Sequence, residues 1–234
     1  MSTTMSKSQS PRMFDTIATR YDFVNTLISL GLHKSWRRAM FRMLPTGKQL
    51  KVLDIASGTG DVAIALAKRP NISSVAAADL SQEMLKIAQN KKNLEETGHK
   101  ISIETQDAQR LTYRSDLFDV ITISFGIRNV ADTEQAIREA FRTVKPGGRF
   151  IVLESGHPRN PILRMGHFLF TNYLVPLIGS LFSENPSAYR YLNATIRSFP
   201  SGAEFTDLLD RAGFKYTGYK PLALGSVYLY WGEK

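Results

Sequence analysis

The sequence predicts an α/β protein built on a doubly wound, seven-stranded, mostly parallel sheet, and three observations carry that prediction. Lys51-Val-Leu-Asp-Ile-Ala-Ser-Gly-Thr-Gly-Asp-Val-Ala63 is an apolar, β-branched run that breaks into a glycine turn and resumes as an alanine-rich helix. Downstream, short apolar runs alternate with helix-periodic segments, which is the pattern of βαβ units. The last two runs, Phe214 to Tyr219 and Ser226 to Trp231, alternate apolar and polar residues with nothing helical between them, and so predict an antiparallel pair at the sheet edge.

Taken in order, Met1 to Ser10 is polar and small, and residues 1–12 are expected to be a disordered tail. The remainder, 13–234, reads as one domain. Phe14, Ile17, Tyr21, Val24 and Ile28 recur at helical spacing, and a second helix spans Lys34 to Leu44 before Pro45-Thr-Gly47 stops it. Both precede the first strand, so they cannot be crossovers, and residues 13–46 are expected to lie over the site as a lid. Ser74 to Asp79 is the second strand, and Gln82 to Leu94 a helix with Met84, Leu85, Ile87 and Ala88 on one face. Lys100 to Gln106 alternates as a third strand ending at Asp107-Ala108. Leu117 to Ser124 is a near-continuous apolar run suited to a strand buried on both faces. Asp132 caps a helix to Val144, the turn Lys145-Pro-Gly-Gly148 follows, and Arg149 to Glu154 is the fifth strand. The segment 157–199 is too long for a plain loop and is expected to be a helical insertion walling the substrate side. Ser201 to Ala212 is the last helix.

The glycine turn points to a ligand. Gly58, Gly60 and Ala63 fit the loose spacing of dinucleotide sites, a weak signal on its own. Asp54 and Asp61 flank the turn, and two carboxylates disfavour a pyrophosphate while favouring an ammonium. At ~4 Å and an effective dielectric of ~20, each such attraction amounts to roughly 4 kcal/mol before desolvation. S-adenosyl-L-methionine meets that demand, with an ammonium and a sulfonium as cations and one carboxylate for the turn amides. Asp79, closing the second strand, is placed to accept from the ribose hydroxyls. Met84, Asp107 and Ala108 are candidates for the adenine pocket, and Tyr21 and Arg37 for reaching the methionyl carboxylate. Phe125-Gly-Ile-Arg-Asn129 follows the fourth strand, where an open parallel sheet places the reactive end of its ligand. Arg128 and Asn129 are therefore catalytic candidates, with Tyr21 closing the site or relaying a proton. His33 and His157 are candidate bases.

Composition narrows the classes. Cysteine is absent, which excludes disulfides and thiolate chemistry, and the four histidines show no ligand spacing, so no metal is expected. Thirty basic and 21 acidic residues give a net charge of +9. That balance suits a nucleic acid, an anionic membrane surface or an acidic substrate, but the cations are scattered and a nucleic-acid partner is not expected. Met165 to Ser183 carries no charged residue yet is short for a bilayer crossing. A cytoplasmic protein is expected, with peripheral contact at the inner membrane face and homo-oligomerisation left open.

Four stretches then carry a resemblance: Met13-Phe-Asp-Thr-Ile-Ala-Thr-Arg-Tyr-Asp22, Val52-Leu-Asp-Ile-Ala-Ser-Gly-Thr-Gly-Asp61, Ile123-Ser-Phe-Gly-Ile-Arg-Asn129 and Lys145-Pro-Gly-Gly-Arg149. The chain resembles the ubiquinone/menaquinone biosynthesis C-methyltransferases, within the Rossmann-like class I S-adenosylmethionine-dependent methyltransferases. The resemblance implies methyl transfer to a ring carbon of a polyprenylated quinol. The acceptor is expected to be demethylmenaquinol, the alternatives being a methoxy-benzoquinol of the ubiquinone path or an RNA. It also implies donor contacts from Thr59, Asp79, Asp107, Ala108 and Ser124. One stretch departs: the family continues its fifth strand as Leu-Glu-Phe-Ser-x-Pro, whereas this chain reads Leu153-Glu-Ser-Gly-His-Pro158.

Overall fold

A computed structural model describes residues 7–47, 49–175 and 186–234. Seven strands form one sheet in the order β3-β2-β1-β4-β5-β7-β6, comprising β1 (Leu50–Ile55), β2 (Ile72–Asp79), β3 (Ile101–Thr105), β4 (Phe118–Ser124), β5 (Val144–Ser155), β6 (Lys215–Leu222) and β7 (Val227–Glu233). The first five run parallel, and β7 inserts antiparallel between β5 and β6. The predicted antiparallel pair is thus present, with the last strand inside the sheet and β6 at its edge. Pro146-Gly-Gly148 lies within the irregular start of β5 instead of forming a separate turn before it, and the register against β4 shifts there.

The helices are α1 (Ser10–Ile28), α2 (His33–Phe41), α3 (Asp61–Ala67), α4 (Gln82–Asn93), α5 (Thr133–Thr143), α6 (Pro161–Leu169), α7 (Pro186–Ser198) and α8 (Ala203–Arg211). Alternation along the strands sorts apolar side chains to the two faces. Leu53, Ile55, Ile121, Ile123 and Val152 pack with Ile137 of α5 and Phe205 and Leu209 of α8. Val52, Val120, Ile151 and Leu153 pack on the other face with Met40 and Phe41 of α2 and Val62 and Leu66 of α3. The two helices ahead of the first strand therefore divide their roles: α2 belongs to the core, while α1 crosses above it onto α4.

Within the stretch expected to be a disordered tail, Lys7–Gln9 form a 3-10 turn and α1 starts at Ser10. Pro11 in the first turn of α1 has no N–H to lose there, and buried Ser10 donates to the carbonyl of Asn129. The 157–199 segment holds α6, a π turn over Phe170–Leu174 and α7. Part of its uncharged stretch, from Pro176 onward, lies outside the described residues.

Candidate functional site

The sheet order reverses between β1 and β4, and ligands of such sheets bind outside the strand C-termini at that point. Both strands leave it through strained corners. Ala56 has φ 51° and Phe125 φ 56°, a left-handed conformation that non-glycine residues adopt at a cost of ~1–3 kcal/mol when surroundings enforce it. The two corners touch: a Cβ on Gly126 would lie 2.5 Å from the Cβ of Ala56, so only glycine lets the loops close together.

Two cavities open at these corners. The first, about 240 Å³, is lined from the sheet side by Gly58, Asp79, Leu80, Met84, Asp107, Ala108, Ser124 and Asn129, and roofed by residues of the N-terminal segment including Lys7, Ser10 and Phe14. The second, about 200 Å³, has a mostly apolar wall that includes Ile28, Trp36, Phe170, Val175, Leu192 and Ile196, with Arg128, His33 and His167 among its polar groups. Tyr21 and Phe125 border both. A narrower space of about 50 Å³ shares Arg37 with the second cavity and adds Asp54, Thr59 and Asp61.

The first cavity suits a nucleoside. Asp79 accepts from the amides of Gly58 at 2.8 Å and Ser81 at 2.9 Å, one on each oxygen. Each oxygen keeps acceptor capacity for a hydroxyl. Enclosure raises the Asp79 pKa, against the pull of those amides. Asp107 receives Gln109's amide and side chain, Met84 and Ala108 give an apolar slot, and the Ser124 hydroxyl is buried without a partner among the described residues. These groups fit the ribose, base and amino-acid portions of S-adenosylmethionine, whose chemistry is an electrophilic methyl on a cationic sulfur.

Several predicted roles change. Gly60 lines none of these three cavities. Its φ of 82° starts α3, and a Cβ there would meet Ala88 at 3.0 Å, so its requirement is conformational and steric. Asp61 offers no uncompensated charge: Arg37 reaches it at 2.9 Å and Lys91 at 2.6 Å. Burial raises the Asp61 pKa, but these two cations more than reverse it and leave it below the usual carboxylate range. Arg37 is thereby committed to an acid of the protein. Thr59 gives its hydroxyl proton to Asp22 and receives Lys91. Asp54 is fully enclosed, donated to by Thr122 at 2.6 Å, and burial pushes its carboxyl up to about 7. The ammonium argument therefore rests on Asp54 more than on Asp61.

The pair Arg128-Asn129 splits between the cavities. Arg128 borders the apolar one, where its guanidinium donates to Glu154 at 2.5 Å and to the carbonyl of Phe125 at 2.7 Å. Both partners are buried, at 6 and 0% side-chain exposure, so its charge is compensated before any acceptor arrives. Asn129 borders the nucleoside cavity, with its side-chain Oδ1 buried and without a partner among the described residues. Tyr21's hydroxyl meets Asn25, and burial raises its pKa. His33 is in the second cavity. His157 is not; its ring stands 6.0 Å from that of His167, which does line it.

The sequence reading missed Glu154, Asp22, Lys91 and His167. An acid inside the apolar run Phe150-Ile-Val-Leu-Glu154 was a visible signal for a buried ion pair. Lys91 lies on a helix face with nothing in sequence to distinguish it. The departing Ser155-Gly156 is also placed: Ser155 lines the second cavity, and a Cβ on Gly156 would lie 2.5 Å from the Tyr228 ring.

Comparison with known proteins agrees with this arrangement. Residues 2–234 match the model of the ubiE/COQ5 methyltransferase family. A ubiquinone/menaquinone biosynthesis C-methyltransferase of Geotalea daltonii is 41% identical over 224 residues, covering 95% of this chain and 94% of that one. A demethylmenaquinone methyltransferase of Lactiplantibacillus plantarum is 35% identical over 223 residues, with 95 and 94% covered. Among solved structures, a Thermotoga maritima S-adenosylmethionine-dependent methyltransferase aligns with a TM-score of 0.69 at 20% identity, over 95% of this chain and 98% of that one. That likeness concerns the fold.

Proposed function

The chain belongs to the ubiE/COQ5 methyltransferase family, and from that premise we propose that it moves the methyl group of S-adenosyl-L-methionine to a ring carbon of a polyprenylated quinol, converting demethylmenaquinol to menaquinol. The observation that carries this reading is the pair of cavities meeting at Tyr21 and Phe125, one with nucleoside-binding groups and one apolar. Two reactants held across a shared wall gain the advantage of an intramolecular reaction, provided their reacting atoms align.

The chain's own groups divide the work. Asp79, Asp107 and the slot of Met84 and Ala108 hold the nucleoside. Asp54 supplies a carboxylate that a cation would draw into its ionised form. Arg128, held by Glu154, keeps a guanidinium edge on the apolar cavity, and Asn129 orients a polar group at the junction. Trp36, Phe170 and Ile196 exclude water from the acceptor ring. Purified protein given donor with a labelled methyl and demethylmenaquinol should yield lipid-soluble label. Confirmed donor binding with no labelled quinol would refute the reading.

The prenyl tail places the acceptor in a bilayer, and peripheral contact with an anionic lipid surface is part of the same proposal. Every residue of α6 stays out of the core, with Ile162 82% and Met165 61% exposed. Arg164 and Arg197 are exposed beside them. Leu30 is 79% exposed in the turn after α1, and residues of both elements border the apolar cavity. Among the described residues no helix is long and apolar enough to cross a membrane. Flotation with phosphatidylglycerol vesicles should carry the protein upward, and Ile162→Glu with Met165→Glu should abolish this. Equal flotation of the double variant would refute the contact.

A further inference from the structure

Methylating a ring carbon requires a quinol hydroxyl to give up its proton, because only the phenolate delocalises enough charge onto that carbon. Arg128 cannot take that proton, since it is a guanidinium already donating to Glu154 and the Phe125 carbonyl. Tyr21 is also unsuited: burial raises its pKa and its hydroxyl is engaged by Asn25.

His33 is differently arranged. It opens α2, is buried at 8% exposure and borders the apolar cavity. Its Nδ1 stands 2.7 Å from the Ser29 hydroxyl oxygen. That hydroxyl has one proton and three acceptors in reach, the Asn25 carbonyl at 2.6 Å, the Thr26 carbonyl at 3.4 Å and Nδ1 itself. Given to the nearest carbonyl, that of Asn25, the proton leaves the Ser29 oxygen to accept from the ring, which puts the hydrogen on Nδ1 and the lone pair on Nε2. No protein group among the described residues bonds Nε2. Burial, and next the Arg37 charge, lower the His33 pKa, which keeps the ring neutral near pH 7. Lys34 acts in the same direction, while Asp61 and Asp22 oppose it. Arg128, His167 and Tyr21 face the same cavity.

Resting on the proposed quinol methylation, we infer that His33 Nε2 is the base that takes the acceptor's hydroxyl proton, with Ser29 as the residue that fixes its tautomer. The O–H bond breaks, its proton goes to Nε2, and its electron pair spreads into the ring. The ring carbon bonds the methyl as the carbon–sulfur bond breaks, with that pair left on sulfur as a neutral thioether. The carbon then loses its hydrogen as a proton to water, the ring becomes aromatic again, and the oxygen recovers the proton from Nε2. One proton is released per methyl moved.

The test uses the full chain with demethylmenaquinol, comparing wild type, His33→Ala and Ser29→Ala. His33→Ala should lower kcat about 100-fold or more, the scale of general-base catalysis. It should also lose the acidic limb of the pH profile, recover rate with added imidazole and bind donor as wild type does. Ser29→Ala keeps the ring but removes the acceptor for Nδ1–H; it should lower kcat and move the acidic limb to lower pH. If His33→Ala keeps the wild-type rate and acidic limb, or Ser29→Ala shows an unchanged profile, the inference is overturned and quinol methylation stands. If wild type fails to methylate the quinol, that reading falls first.

Discussion

Glu154→Ala is the most demanding test of how the site is held. Glu154 has no exposed surface, sits inside β5 next to β4 and β7, and accepts from the Arg128 guanidinium at 2.5 Å and the Ser155 amide at 2.6 Å. Its removal leaves a guanidinium 6% exposed whose only other acceptor among the described residues is the carbonyl of Phe125. Deleting one member of a buried pair costs about 3–5 kcal/mol, because the remaining charge is desolvated without compensation. The expected loss in urea unfolding is therefore of that size, read as a lower midpoint at unchanged slope. The double variant Arg128→Met, Glu154→Leu removes both charges and fills the volume, and much of the stability should return. A loss below about 1 kcal/mol in Glu154→Ala would show that the pair is not what fixes the Phe125 corner. Turnover must then be compared below the transition of each variant, since Arg128→Ala alone would leave a carboxylate buried and unpaired.

Three further outcomes follow from the same geometry. Asp79→Ala should weaken donor binding by about 1–3 kcal/mol, the scale of hydrogen bonds to a charged group; unchanged affinity in calorimetry would remove the ribose assignment. Asp54, pushed up to about 7 by burial, ionises near ~3.9 when unfolded. Between roughly pH 4 and 7 the folded state thus holds a proton the unfolded chain has lost, and this group's contribution to stability falls as pH rises. Asp54→Asn removes the ionisation, so its Tm relative to wild type should climb from pH 5 to pH 8, and a flat difference would contradict the shift. Lys91→Met releases Asp22 of α1 from Asp61. Each of these half-exposed pairs contributes under about 1 kcal/mol, so global stability should change little while proteolysis within residues 10–28 accelerates; equal cleavage would deny the latch.

What the sequence disclosed and what it withheld follow one physical division. Strands β1 and β4 are legible because burial on both faces demands mostly apolar residues, and the glycine turn because its backbone requires positive φ at Gly58 and Gly60. Asp79, Met84, Asp107 and Ala108 are legible for the same reason, since a strand's end fixes where its next residues point. Partnerships across long sequence separation are not. Asp61 next to the glycine turn looks like a free charge until Arg37 and Lys91 arrive from α2 and α4, and Arg128 looks available until β5 delivers Glu154. The insertion of β7 between β5 and β6 belongs to the same class, because alternation reports that a strand has two faces and not which neighbours it takes. The lid combines both kinds of information. Helical spacing announces α1, yet its place over the site depends on Asp22 meeting Lys91 and Asp15 accepting from the Ser81 hydroxyl at 2.6 Å. These contacts span long sequence separation and join the apolar packing of Met13 and Val24 with Val175 and Tyr191, whereas the sheet half of the site is set by buried strands and two left-handed corners. The groups proposed to bind the nucleoside are accordingly set by the sheet, and Tyr21, which borders both cavities, is contributed by α1.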